Sequence, residues 1–298
     1  MDIREMLKYN IGNTPLRMAT RINDNQIFVK SEFENFGGSI KARSGYYMIH
    51  ELPKSARDKK IIESTSGNLG LALGFFCKEY GLDFTALIDA STAAAKVERM
   101  KKAGIKYILA EKEKGYDYRS SRIRLAERLE KTGDYYWINQ YDNADNVAVH
   151  ELTTAAEIWE QSGKKVTHII CAMGSCGTIC GIGRFFCKNS PNVKIIGVEP
   201  EGSTIFGKKK GDYINAGAGL VGKPGNLLKN PDVIDEAYTV SDLQSLAAAR
   251  ELNERYHIRA GVTAGMAFHQ ALELAEKLRG AYIVIVAADG RESYNEYL

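Results

Sequence analysis

The chain has 298 residues, 44% of them hydrophobic and 26% charged, with a formal net charge of +3. That is an ordinary composition for a globular protein with a large core, and the length suits two lobes better than one. So small a charge gives no reason to expect a nucleic-acid or membrane partner, and no apolar run is long enough to span a bilayer.

The start, Met1 to Glu5, is charged and lacks the apolar stretch of a signal peptide. The first strand-like run is Gln26–Lys30. A glycine turn, Asn35-Phe36-Gly37-Gly38-Ser39-Ile40, then delivers Lys41 to a helix predicted over Ala42–His50. Lys60–Glu63 reads as a strand and runs into Glu63-Ser64-Thr65-Ser66-Gly67-Asn68-Leu69-Gly70, which opens a helix. Phe84–Ile88 and Lys106–Leu109 are strands that each follow a helical stretch. Arg119–Lys131 reads as an exposed amphipathic helix ended near Gly133. Val147–Gln161 has a helical apolar pattern, with Asn146 as its expected cap. Val166–Cys171 leads into Gly174-Ser175-Cys176-Gly177-Thr178 and another helix, and Lys194–Val198 and Tyr282–Val286 repeat the strand theme.

Strands that alternate with helices predict parallel sheets joined by crossovers, hence an α/β fold. Two groups of strands flank the polar stretch Asp142–Asn146. They predict two doubly wound lobes, residues 1–145 and 146–298, with a site between them and the first strands crossing to the second lobe. The five cysteines show no framework spacing, which predicts free thiols in a cytoplasmic protein. Cys171, Cys176 and Cys180 form no CxxC pair, and His168 completes no ligand set, so no metal is expected.

Three loops carry chemical groups, and each also has a plain structural reading. Lys41 at a helix start has a weakened preference for its charged form, yet most such lysines are surface residues. The hydroxyls, amide and N–H groups of Thr65 to Gly70 suit a carboxylate, or form a capped turn. Gly174 to Thr178 suits a phosphate, but is neither a Walker A loop nor a dinucleotide fingerprint.

In this order the loops resemble those of fold-type II pyridoxal-phosphate (PLP) enzymes. With Ile11-Gly12-Asn13-Thr14-Pro15-Leu16, Tyr136-Trp137-Ile138-Asn139-Gln140-Tyr141 and Gly261-Val262-Thr263-Ala264-Gly265, the chain is similar along nearly its whole length to the cysteine synthase (O-acetylserine sulfhydrylase) and cystathionine β-synthase family. The resemblance implies two doubly wound lobes of the tryptophan synthase β type and PLP as cofactor. It implies that Lys41 forms the internal aldimine and moves the substrate α-proton. Asn68 would contact the cofactor 3′-oxygen, Gly174, Ser175, Cys176, Gly177 and Thr178 its phosphate, and Thr263 its pyridine nitrogen as a neutral partner. Thr65, Ser66, Gly67 and Gln140 would hold the substrate carboxylate, with Tyr141 and Gly217 beside it. Cys176 is expected to pack rather than react, and His150 to be structural.

The implied reaction is β-replacement on O-acetylserine, O-phosphoserine or cysteine through an α-aminoacrylate, with β-elimination as the alternative. Closure of about residues 91–104 over the substrate and a homodimer are family expectations. Leu69, where the sulfhydrylases have threonine, departs from the pattern. Together with Trp137–Tyr141 and Glu201–Gly207 it is similar to the branch that joins O-phosphoserine to glutamate.

Overall fold

The computed structural model describes residues 3–65, 67–206, 209–215, 217–294 and 297–298. Among the described residues ten strands run in chain order: β1 Leu16–Ile22, β2 Asn25–Ser31, β3 Lys60–Ser64, β4 Phe84–Ile88, β5 Lys106–Leu109, β6 Tyr135–Trp137, β7 His168–Ala172, β8 Lys194–Pro200, β9 Glu236–Val240 and β10 Tyr282–Ala287. They form a six-stranded sheet of order β1-β2-β10-β7-β8-β9 and a four-stranded sheet of order β5-β4-β3-β6. Every pairing is parallel except β1 with β2, which are antiparallel neighbours.

The central strands β10, β7 and β8 carry the runs Ile283–Ala287, Ile169–Cys171 and Ile195–Val198, all buried. A parallel strand covered by helices on both faces must be apolar on both, and these are. Helices Gly177–Asn189 and Val262–Lys277 contribute buried faces to that core. Around β3 and β4 a second core gathers Ile61, Leu73, Phe76 and Ala86. The chain therefore returns twice between sheets, since β1 and β2 lie beside β10 although β3 to β6 form the other sheet.

β1, β6 and β9 were not legible as strands, for separate reasons. β1 lies at a half-exposed edge with Arg17 and Arg21 in it, and β6 is only 3 residues long. β9 is an edge strand opened by an exposed glutamate. The helix predicted from Val147 begins at Ala144, because Asn143, not Asn146, caps it by accepting from the Asp145 N–H at 2.9 Å. It then passes through a π-helical turn at His150–Thr154 before continuing to Gln161.

The parallel topology decides where a site can lie. β3, β6, β7 and β10 end at the loops holding Thr65, Gln140, Gly174 and Asp289, all of which line one cavity. A crevice at the carboxyl ends of parallel strands is the usual place for a ligand in an open α/β fold.

Candidate active site

Lys41 opens the helix Lys41–His50 and lines this cavity. Among the described residues no carboxylate lies within ion-pair distance of it. Burial lowers the pKa of its amine, and the field of Asp289 only partly opposes this. Desolvation without a partner favours the neutral, nucleophilic form of an amine.

Across the cavity, the helix Gly177–Asn189 points its N-terminus inward. Among the described residues, the backbone N–H groups of Ser175, Cys176, Gly177 and Thr178 have no hydrogen-bond partner. Orphan donors turned into a cavity at a helix start are a fit for a phosphate, which supplies the missing acceptors. The cradle is held from behind. Asn146 Nδ2 donates to Ser175 Oγ at 3.2 Å and to the Gln140 carbonyl at 2.8 Å, and Asn226 Nδ2 donates to the Ser175 and Gln140 carbonyls at 2.8 Å each. A side chain at Gly177 would put its Cβ 2.5 Å from the Asn146 amide, so only glycine fits there. Cys176 takes a left-handed conformation, φ 60°, at the turn into the helix. Its thiol is buried, and burial pushes its pKa well up, so it is an inert packing group. His150 is fully buried, and its Nε2 lies 3.3 Å from Thr178 Oγ1 and 3.2 Å from Ser44 Oγ. Burial and the charge of Lys41 keep the ring neutral.

The second loop is built on Thr65. Its Oγ1 accepts from the N–H groups of Gly67 at 3.1 Å and Gly70 at 3.0 Å, which leaves its own proton to donate. The N–H groups of Asn68 and Leu69 have no partner among the described residues. Ser66 lies outside the described residues. Gly67 has φ 137°, and a Cβ there would fall 2.3 Å from Lys96 Cδ, so the loop needs glycine both for its backbone and for the lysine that crosses it.

Gln140 lines the cavity, but both hydrogens of its Nε2 are used, to Glu63 Oε1 at 2.9 Å and the Ser64 carbonyl at 2.9 Å. As oriented, this amide cannot donate to a ligand. Glu63 is fully buried, and burial pushes its pKa up to about 8, so it is largely protonated at neutral pH. Tyr141 and Gly217 also line the cavity.

Thr263 sits in the first turn of the helix Val262–Lys277 and does not cap it. Its Oγ1 donates to Asp289 Oδ1 at 3.2 Å, and Asn68 Nδ2 donates to Asp289 Oδ2 at 3.0 Å. One buried carboxylate thus fixes two side chains separated by nearly 200 positions in sequence. Burial raises the Asp289 pKa, against the charge of Lys96 and these hydrogen bonds.

Sequence reading missed Asp289, Lys96, Arg119, Asn146 and Asn226 as site residues. Asp289 had a usable signal, being the first charged residue beyond the C-terminal end of a fully apolar strand. The others come from four different helices, and only the folded chain assembles them. Among the described residues no group of three or more His, Cys, Asp or Glu side chains is placed to hold a metal.

Comparison with known proteins agrees with this geometry. A family model described as pyridoxal-phosphate dependent enzyme matches residues 7–289. Cysteine synthase B of Salmonella typhimurium is 33% identical, over 97% of this chain and 93% of that protein. The chain belongs to the cysteine synthase family of pyridoxal-phosphate-dependent enzymes. Among solved structures of this family, the O-acetylserine-dependent cystathionine β-synthase of Helicobacter pylori superposes with a TM-score of 0.89 at 30% identity, covering 99% of this chain and 98% of that one. A hydrogen sulfide-producing enzyme of Fusobacterium nucleatum gives a TM-score of 0.86 at 30% identity, with 96% of both chains covered. The fold is therefore fold-type II and the cofactor is PLP.

Proposed function

We propose that the protein catalyses β-replacement on an O-activated L-serine, with O-acetyl-L-serine as the first donor to test. The observation that carries the reading is the orphaned N–H cradle at Ser175–Thr178 facing the unpaired amine of Lys41 across one cavity. When bound, PLP supplies an electron sink for the carbon that loses a proton.

This chain's residues do the rest. The cradle takes the cofactor phosphate, and Lys41 holds the cofactor. When free, the Lys41 amine would take the proton from the substrate α-carbon. The substrate carboxylate rests on the N–H groups of Asn68 and Leu69 and the Thr65 hydroxyl, with Gly67 shaping the turn. Gln140 serves first as the bolt that ties this loop to Glu63, because its donors are already engaged. Tyr141 and Gly217 wall the substrate. Asn68 would meet the oxygen of the cofactor ring and Thr263 its nitrogen, both side chains being set by Asp289. Since Thr263 Oγ1 donates its proton to Asp289, what it would offer a ring nitrogen is its lone pairs.

Absorbance spectra of the holoenzyme before and after O-acetyl-L-serine test this reading. A visible band that shifts with the donor, and a new β-substituted alanine when sulfide follows, are expected. A protein that takes up no PLP would overturn it. Release of pyruvate and ammonia in place of an adduct would favour β-elimination, a second reading supported by the likeness to a sulfide-producing enzyme. By likeness to the family we read the protein as a homodimer, which light scattering checks. The cysteines are free thiols, which suits a reducing, cytoplasmic setting, and among the described residues no helix is long and apolar enough to cross a membrane.

A further inference from the structure

A second, roomier cavity opens beside the first, and Lys96 and Arg119 line both, so they stand in the throat between them. Lys96 belongs to the helix Ala94–Lys102 and is 5% exposed. Arg119 belongs to the helix Tyr118–Glu130 and reaches across to donate to the Gly219 carbonyl. Among the described residues neither has a carboxylate within 4.0 Å, unlike the other cations of this cavity, since Arg122 is paired with Asp89 at 2.8 Å and Lys210 with Asp117 at 3.5 Å. Asp289 attracts Lys96, but its two oxygens are occupied by Asn68 and Thr263. Asp212, on the outer rim, is exposed, and water screens it. Lys96 is buried, where desolvation lowers its pKa, and Arg119 is half-buried and hydrogen-bonded to neutral groups, so an anionic ligand would stabilise the charge of both.

We infer that Lys96 and Arg119 form a receptor for the anionic group of the second substrate, and that the enzyme takes a nucleophile bearing a carboxylate or sulfonate. This rests on the β-replacement reading above and names the acceptor class. The first substrate's carboxylate has its own donors at Thr65, Asn68 and Leu69, whereas the throat joins that cavity to the second one. The step balances simply. The thiol sulfur of the acceptor forms a bond to the substrate β-carbon, acetate leaves with the electron pair of the broken C–O bond, and the thiol proton is released to solvent.

The probes are 2-mercaptoethanesulfonate and 2-mercaptoethanol, the same thiol arm with and without an anion, each with O-acetyl-L-serine and the holoenzyme. In the wild type the sulfonate should have a kcat/KM about tenfold or more above that of the neutral thiol, and this ratio should fall about tenfold in Lys96→Met and in Arg119→Gln. A ratio near one in the wild type, or one unmoved in both variants, overturns the inference. Calorimetric titration with ethanesulfonate, which cannot react, gives a reading independent of turnover, with the amino-acid subsite first filled by L-alanine. Binding to the wild type that weakens about tenfold in Lys96→Met is expected, and equal binding to both, or none to the wild type, overturns the inference. If Lys96→Met weakens L-alanine instead of ethanesulfonate, the lysine serves the first carboxylate and the inference is wrong. Holoenzyme that binds ethanesulfonate through Lys96 but never turns over O-acetyl-L-serine would sink the β-replacement reading and leave the anion site standing.

Discussion

Lys41 and Arg43 are two residues apart on one helix, yet they serve opposite regions of the molecule. Arg43 is fully buried in a closed ionic network. Its Nε and Nη2 donate to Glu32 at 2.7 and 2.8 Å, and its Nη1 and Nη2 donate to Glu157 at 2.7 Å each. Lys30 joins the network, donating to Glu157 at 2.6 Å and to the Thr14 carbonyl at 2.7 Å. Burial pushes Glu32 up, but the paired Arg43 brings its pKa down to about 2. Lys41 has the reverse environment, desolvated and without a partner within reach. The lesson is that burial alone does not mark a functional charge. A buried charge whose hydrogen bonds are complete locks the fold, and one left incomplete waits for a ligand.

The largest effect that sharpens this contrast is Lys41→Ala, which should lower kcat by roughly 10³-fold or more while leaving the denaturation midpoint almost unmoved. Borohydride reduction followed by mass measurement of the intact chain should find the cofactor mass on the wild type and not on the variant. Arg43→Met should do the opposite, because it strands Glu32 and Glu157. A loss of about 3–5 kcal/mol is expected by urea denaturation, with kcat per folded molecule retained within a few-fold. If Arg43→Met abolished turnover without any loss of stability, the division between the two regions would collapse.

The same contrast explains what the sequence made legible. Apolar runs such as Ile283–Val286 and the glycine turns that follow strands gave the α/β class and three of the site loops, because both are local patterns. The segment Gly12-Asn13-Thr14 carried the family likeness, yet structurally it belongs to the ionic network: the Gly12 N–H donates to Asn35, the Asn13 N–H to Glu157 and Thr14 Oγ1 to Glu32. Asp289 could not be gathered with Lys96 and Arg119 in advance, since it lies 193 and 170 positions from them and meets them only through sheet order. Gln140 shows a further limit. Its position in the cavity was legible, but the commitment of its amide hydrogens to Glu63 and Ser64 depends on a buried acid on another strand.

Two of the buried glutamates, Glu32 and Glu63, should respond to pH in opposite directions. Glu32, depressed to about 2, contributes stability that is present above its unfolded value and lost as pH falls toward 2. Glu63, raised to about 8 from 4.5, binds its proton more tightly in the folded chain, so stability falls as pH rises between those values. Glu63→Gln keeps an acceptor for Gln140 and removes the titration. Its stability relative to the wild type should therefore improve from pH 5 to pH 9, by on the order of 3 kcal/mol. Urea midpoints at both values check this, and a difference that does not change with pH would mean that Glu63 is ionised in the fold.

The smallest effect falls on Asp289, which belongs to neither class cleanly, because its hydrogen bonds are complete while it sits in the cavity wall. Asp289→Asn keeps the shape and one acceptor oxygen, but turns a donor toward either Asn68 or Thr263, both of which already donate to it. One of the two must rotate away, so PLP affinity should weaken about tenfold, near 1.4 kcal/mol. Fluorescence titration of the apoenzyme with PLP measures it. The ¹⁵N shift of the bound cofactor's ring nitrogen separates the alternatives. A shift toward the unprotonated value would trace the loss to Thr263, whose proton is no longer drawn to a carboxylate. An unchanged shift with weaker binding would trace it to Asn68. If both affinity and shift matched the wild type, Asp289 would be a structural residue like Glu32, and the boundary between locked and waiting charge would lie closer to Lys41 than the hydrogen bonds place it.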